Sequence, residues 1–218
     1  MTDNYKEIYK YMFNLGIANT RAEGTLSDLF FDVQLIRRGK DHPNLPAANY
    51  TFKAYYFDSL EGFEKAYQEI KTCCDIFELR AYVSVNAKSK TEASKKTCER
   101  YAHDSVTNDF RKPWKDFSSV CGGLDGAEKR WVVDVDECEN ETDTCEYADK
   151  VVDLIRLCDT GYPDPVVTSI PTKSGYHIIT HPFNLKQFND FCEKNCIIVP
   201  DVKKNHITLL YENLNYAN

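Results

Sequence analysis

Apolar residues along this chain recur at two periods, and the switches between them mark out its elements. Between residues 3 and 17, Tyr5, Ile8, Tyr9, Met12 and Phe13 fall on one face at helical spacing, which predicts an amphipathic helix. The stretch FFDVQLIRRGKDHPNLP reads as a strand running into a polar, proline-containing loop. Residues 50–89 read strand, helix, strand, with Ser59 as the helix N-cap and Phe63, Ala66, Tyr67 and Ile70 as the buried stripe. TEASKKTCERYAHDSV predicts a second, more polar helix. Residues 107–129, with Pro113 and the Gly122-Gly123 pair, read as loop and divide a lobe of residues 1–125 from one of residues 126–218.

The second lobe is more regular. RWVVDVDECE opens it with a strand over 131–136, followed by the acidic loop ECENETDT. Tyr147, Val151, Leu154, Ile155 and Cys158 share the next helical face, which TGYPDP ends. VVTSIPT and YHIITHPF read as two strands joined by a tight turn at Lys173-Ser174-Gly175. NLKQFNDFCEKN predicts a helix capped by Asn184, with Leu185, Phe188, Phe191 and Cys192 inward. CIIVPDV and HITLLYE read as a last strand pair around KKN. The resulting pattern, β-α-β-β-α-β-β, predicts a sheet covered by helices on one face.

Composition narrows the class. The chain has 218 residues, 42% hydrophobic and 13% aromatic, which is enough to bury a sizeable core. Its net charge of −7 argues against coating nucleic acid by bulk electrostatics and leaves room for a local basic groove. No apolar run reaches 18 residues, so no membrane span is expected. The opening MTDNYKEIYKYMFNLG lacks the layout of a signal peptide, and the expected compartment is the cytoplasm. Nine cysteines, odd in number and without a CxxC, read as reduced thiols. Cys138, Cys145, Cys192 and Cys196 are the alternative, as a zinc set of weak spacing.

Three features carry candidate chemistry. Asp134 and Asp136 stand two apart on an otherwise apolar strand, so they share one face while Val133 and Val135 share the other. Two carboxylates that close repel unless something cationic neutralises them. They are either solvated acids at a strand end or a site for a hard divalent ion. In TKSGYHIIT, Gly175 allows close backbone approach to a ligand, and Lys173, Ser174 and His177 offer donors to phosphate oxygens. The plainer reading is a hairpin turn followed by a structural histidine. Asp201 follows the apolar CIIVP and faces Lys203-Lys204; alone it reads as a turn acid.

Taken in order, Asp134/Asp136, then Ser174-Gly175-x-His177, then Asp201 resembles the three-motif signature of the archaeo-eukaryotic primase superfamily. That family has a hydrophobic-flanked DxD or DxE, a Ser-Gly…His motif and an Asp ending an apolar strand. The tail DVKKNHITLLY is similar to the third motif of primase-polymerases, with Asn205 and Leu210-Tyr211 in the matching places. The resemblance spans about residues 130–212. It implies an α+β fold in which an RRM-like catalytic half, its sheet antiparallel or mixed, packs against an N-terminal αβ half. It further implies that Asp134, Asp136 and Asp201 are ligands of Mg²⁺ or Mn²⁺, with zinc not expected. Lys173, Ser174, Gly175 and His177 are then the nucleotide site, and Arg80 in ELRAYVSVN is similar to an Arg that faces the nucleotide in some members.

The implied activity is template-directed nucleotidyl transfer from NTP or dNTP to a 3′-hydroxyl. The implied partners are a single-stranded DNA template and a helicase or other replication proteins. Arg37, Arg38, Lys40 and Lys53, with Lys88, Lys90, Lys95, Lys96, Arg111 and Lys112, are candidate template contacts, and Tyr55, Tyr56 and Trp114 could stack on bases. Two rival readings use the same residues. One is a catalytically silent replication accessory that binds nucleic acid or nucleotide; the other is a metal-dependent nuclease or phosphotransferase.

Overall fold

The computed structural model describes residues 1–17, 28–42, 49–109, 113–136 and 144–213, without the Trp114 side chain. The elements run β1 (Thr2–Asp3), α1 (Tyr5–Asn14), β2 (Leu29–Arg38), β3 (Asn49–Phe57), α2 (Leu60–Phe77), β4 (Arg80–Ser84), β5 (Lys88–Ser89) and α3 (Lys90–Val106). They continue α4 (Pro113–Gly123), β6 (Trp131–Asp136), α5 (Thr144–Arg156), β7 (Val166–Pro171), β8 (Gly175–Thr180), α6 (Leu185–Lys194), β9 (Asp201–Lys203) and β10 (Ile207–Glu212). The fold is α+β, with two antiparallel sheets. Most of the acidic loop after β6, Cys138, Arg111 and Lys112 lie outside the described residues.

The first sheet has the order β1-β10-β4-β2-β3, with β5 beside β2. Alternation sends Phe31, Val33 and Leu35 of β2, and Ala81 and Val83 of β4, into a core shared with Ile8, Met12, Leu60, Phe63 and Ile70 of α1 and α2. Ser59 caps α2 as expected, accepting from Gly62 N at 3.3 Å. On α1 the expected stripe needs a correction. Phe13 is 52% exposed, and Tyr11 is buried in its place. Tyr11 can go inside because its hydroxyl donates to Val85 O at 2.6 Å, which satisfies its polar tip.

The second sheet has the order β7-β8-β6-β9. Val133, Val135 and Ile178 pack on one face with Tyr147, Val151 and Ile155 of α5 and Phe188 and Cys192 of α6. Asn184 caps α6 by accepting from Lys186 N and Gln187 N. Val132, Ile170 and Ile179, on the opposite face, join the core of the first sheet. The face of β6 that carries Asp134 and Asp136 is therefore turned toward the rest of the molecule.

Two expectations are overturned. Residues 113–123 form helix α4 where loop was expected. Pro113 stands at its first turn, where the missing N–H costs nothing, and the glycine pair falls in its last turn. Cys121 and Leu124 bury against Phe30 and Ala93, with Phe117 and Val120 alongside. The last strand pair also does not form. β9 pairs with β6, whereas β10 crosses over to pair with β4 and so returns to the first sheet. Residues after β9 cannot close a hairpin because Leu210 and Tyr211 bury in the first core, and Val85 N holds His206 O at 3.1 Å on the way. The last strand thereby crosses the 125/126 division read from the sequence. No helix among the described residues is long and apolar enough to cross a membrane.

Candidate functional site

The crossing of β10 leaves a cleft of about 690 Å³ between the two sheets. β6 contributes Asp134 and Asp136, the β7–β8 turn Lys173 and Ser174, β8 His177, β9 Asp201 and Lys203, and β4 Arg80. Strand register explains the convergence. Asp134 is the direct cross-strand partner of His177 on one side and of Asp201 on the other. Asp136 is opposite Gly175.

Asp134 is the hub. His177 Nε2 lies 3.2 Å from its Oδ1, and Lys203 Nζ donates to its Oδ2 at 2.5 Å. The bond from His177 is the largest influence holding the Asp134 carboxyl well below the usual carboxylate range. Lys203 adds to it, and partial burial opposes it. The other ring nitrogen of His177, Nδ1, is 3.0 Å from Thr208 Oγ1 on β10, so the imidazole is oriented from both sheets. Ser174 Oγ donates to Asp136 Oδ1 at 3.3 Å.

Arg80 donates to Asp41 Oδ1 at 2.6 Å and lies 3.2 Å from Glu212 Oε2, while Lys173 Nζ lies 3.8 Å from Asp41 Oδ1. Arg38 donates to the Tyr82 hydroxyl at 3.2 Å. Five permanent cations, Arg38, Lys40, Arg80, Lys173 and Lys203, thus line a cleft that also holds four carboxylates, Asp41, Asp134, Asp136 and Asp201. That mixture suits a polyanion delivered together with a cation.

Gly175 also packs closely within the protein. Thr172 N bonds to Gly175 O at 2.8 Å, which closes the turn. A Cβ on Gly175 would stand 1.9 Å from Val135 O and 3.1 Å from Asp136 Cα. The close approach is to the strand that carries the aspartates. Gly175→Ala is therefore expected to push β8 off β6 and to cost about 1–3 kcal/mol, the usual range for overpacking. Chemical denaturation measures it; a variant as stable as the parent would show that β6 yields freely.

Asp41, Tyr82, Lys203, Thr208 and Leu209 were not singled out as site residues. Lys203 was legible, because it stands two residues after Asp201 and so shares its face of β9. Asp41, in a loop, and Thr208, on the other sheet, carry no local signal. One template candidate needs correction: Lys88 is buried on Asp32 and cannot meet a template. The Tyr56 hydroxyl is bonded to Ser118 Oγ at 2.8 Å, and Lys53 pairs with Glu69 at 2.6 Å. In the alternative zinc set, Cys192 is buried while Cys145 and Cys196 are exposed.

His206 stands behind His177, with ring centroids 6.4 Å apart. Burial first, then the charges of Lys203 and His177, push its pKa down to about 4. The unfolded chain binds that proton near 6.5. Stability is therefore expected to fall as pH drops from about 6.5 toward 4, and His206→Gln to flatten that slope in melting temperatures between pH 7 and pH 5. The contribution of Asp134 has the opposite origin and a lower window. Its carboxyl is depressed, so its stabilisation is complete above about pH 4 and is lost only below.

Asp134, Asp136 and Asp201 are all hard oxygen donors on one face of adjacent strands, and as a donor set they fit Mg²⁺ or Mn²⁺. Among the described residues, no three His, Cys, Asp or Glu side chains already close on a common ion position. Comparison of the chain with protein-family models, curated proteins and solved structures found no match.

Proposed function

We propose that this chain is a template-directed nucleotidyltransferase of the primase-polymerase kind. The observation that carries the reading is that Asp134, Asp136, Lys173, Ser174, His177, Asp201 and Arg80, far apart in sequence, line one cleft. The order β7-β8-β6-β9, with both helices on one face, supports an RRM-like description of the second sheet.

In this reading Asp134, Asp136 and Asp201 hold Mg²⁺ or Mn²⁺, which when bound lowers the pKa of the attacking 3′-hydroxyl and neutralises phosphate charge. Lys173 and the Ser174 hydroxyl, on the turn, receive the triphosphate of an NTP or dNTP. His177, held between Thr208 and Asp134, completes the nucleotide site in this reading. Arg80 is held in place by Asp41 and Glu212 and adds charge opposite the turn. The new bond joins the 3′-oxygen to the α-phosphorus, and the bond to pyrophosphate breaks. Arg38 and Lys40 line the cleft wall, and in this reading they contact the backbone of a single-stranded DNA template.

The test is extension of a primer on single-stranded DNA with NTPs or dNTPs and Mg²⁺ or Mn²⁺. Absence of product from purified protein overturns the reading. Shortening of labelled DNA with metal and no nucleotide identifies a nuclease. Single-strand binding that is indifferent to metal, without metal–nucleotide binding, identifies a silent accessory.

A further inference from the structure

The cleft already contains a cation of its own. Lys203 Nζ donates to Asp134 Oδ2 and lies 3.7 Å from Asp201 Oδ2. Those two acids are direct partners across β6 and β9, so their carboxylates would repel without it. Lys203 reaches both because it shares the Asp201 face of β9. Its side chain is 30% exposed and that of Asp201 is 72% exposed, so the contact opens to solvent on that side. A lysine ammonium is a compact charge on a flexible stem and can swing away, unlike a rigid guanidinium fork.

We propose that Lys203 is the resident counter-ion of the Asp134–Asp201 pair, and that a divalent cation must displace it to bind. This rests on the carboxylate-metal reading above. A dication and an ammonium compete for the same oxygens and repel each other at a few ångströms. Affinity for the free ion is thereby kept low. The phosphates of an arriving nucleotide offer the displaced ammonium a new partner, which couples ion binding to nucleotide binding.

The probe is Mn²⁺ alone, titrated into nucleotide-free protein and followed by the electron paramagnetic resonance signal of the free ion. Lys203→Met is expected to bind Mn²⁺ about tenfold more tightly than the parent, since a competing charge has been removed. Lys203→Gln, which keeps an amide donor for Asp134 and protects the fold, is expected to do the same. Lys203→Arg, which keeps the charge on a fork that is harder to displace, should bind Mn²⁺ no more tightly than the parent. Nor should Lys204→Met, which changes net charge equally but removes a side chain that lies over the Trp131 ring. If the parent binds Mn²⁺ and neither neutral Lys203 variant binds it more tightly, this inference fails and the metal reading stands. If Lys204→Met tightens binding as much as Lys203→Met, net charge explains the gain and the inference also fails. If no protein binds Mn²⁺, the metal reading fails and takes the inference with it.

Discussion

Asp134→Asn is expected to lower nucleotide incorporation by about a hundredfold or more, while the protein remains folded. Altering a group that merely supports a metal ligand costs about 10–100-fold, and a ligand itself should meet or exceed the upper end. Asparagine keeps the size of the side chain and removes the charge that His177 and Lys203 both face. Primer extension in Mn²⁺ measures the loss, and far-UV circular dichroism shows whether the fold survives. Parental rates from this variant would remove Asp134 from the chemistry and the proposed function with it. Asp136→Asn should behave similarly, because it shares the same strand face and anchors the Ser174 hydroxyl.

The second large effect is on stability. Lys88 on β5 and Asp32 on β2 form an ion pair whose side chains are only 4% and 3% exposed. Lys88→Met is expected to destabilise the protein by about 3–5 kcal/mol, because it leaves a carboxylate buried without its counter-charge. The Gln34 amide donates to Asp32 Oδ2 at 2.9 Å and would soften the loss without replacing the charge. Removing both partners, as Lys88→Met with Asp32→Leu, should recover most of the stability, since an apolar pair of similar volume carries no desolvation cost. Urea midpoints of the two variants decide it. A cost below about 1 kcal/mol for the single change would mean that water reaches the pair.

Lys88 also shows where reading by residue type fails. A lysine in NAKSK, beside Lys90, reads as one of several surface cations. Its burial depends on Asp32 arriving from a strand distant in sequence, and no local pattern announces that. Phe13 and Tyr11 fail for a related reason. Hydrophobicity ranks phenylalanine as the inward residue, but Val85 O supplies an acceptor that makes the tyrosine the better fit. Pro113 and Gly122-Gly123 read locally as breakers, although the spacing of Phe117, Val120, Cys121 and Leu124 is helical and both breakers stand at helix ends.

The local features are legible in residue spacing alone: the caps at Ser59 and Asn184, the α5 and α6 stripes, and the shared face of β6 on which Asp134 and Asp136 stand. Each follows from one side chain bonding its own helix end, or from a period of 2 or 3.6, and needs no distant partner. Long-range packing sets the rest: β9 and β10 part company, Thr208 orients His177, Gly175 presses on β6, and Lys203 sits between Asp134 and Asp201. Each of these depends on which strands lie side by side. That is settled by burying the whole set of apolar faces at once, and short-range spacing does not encode it.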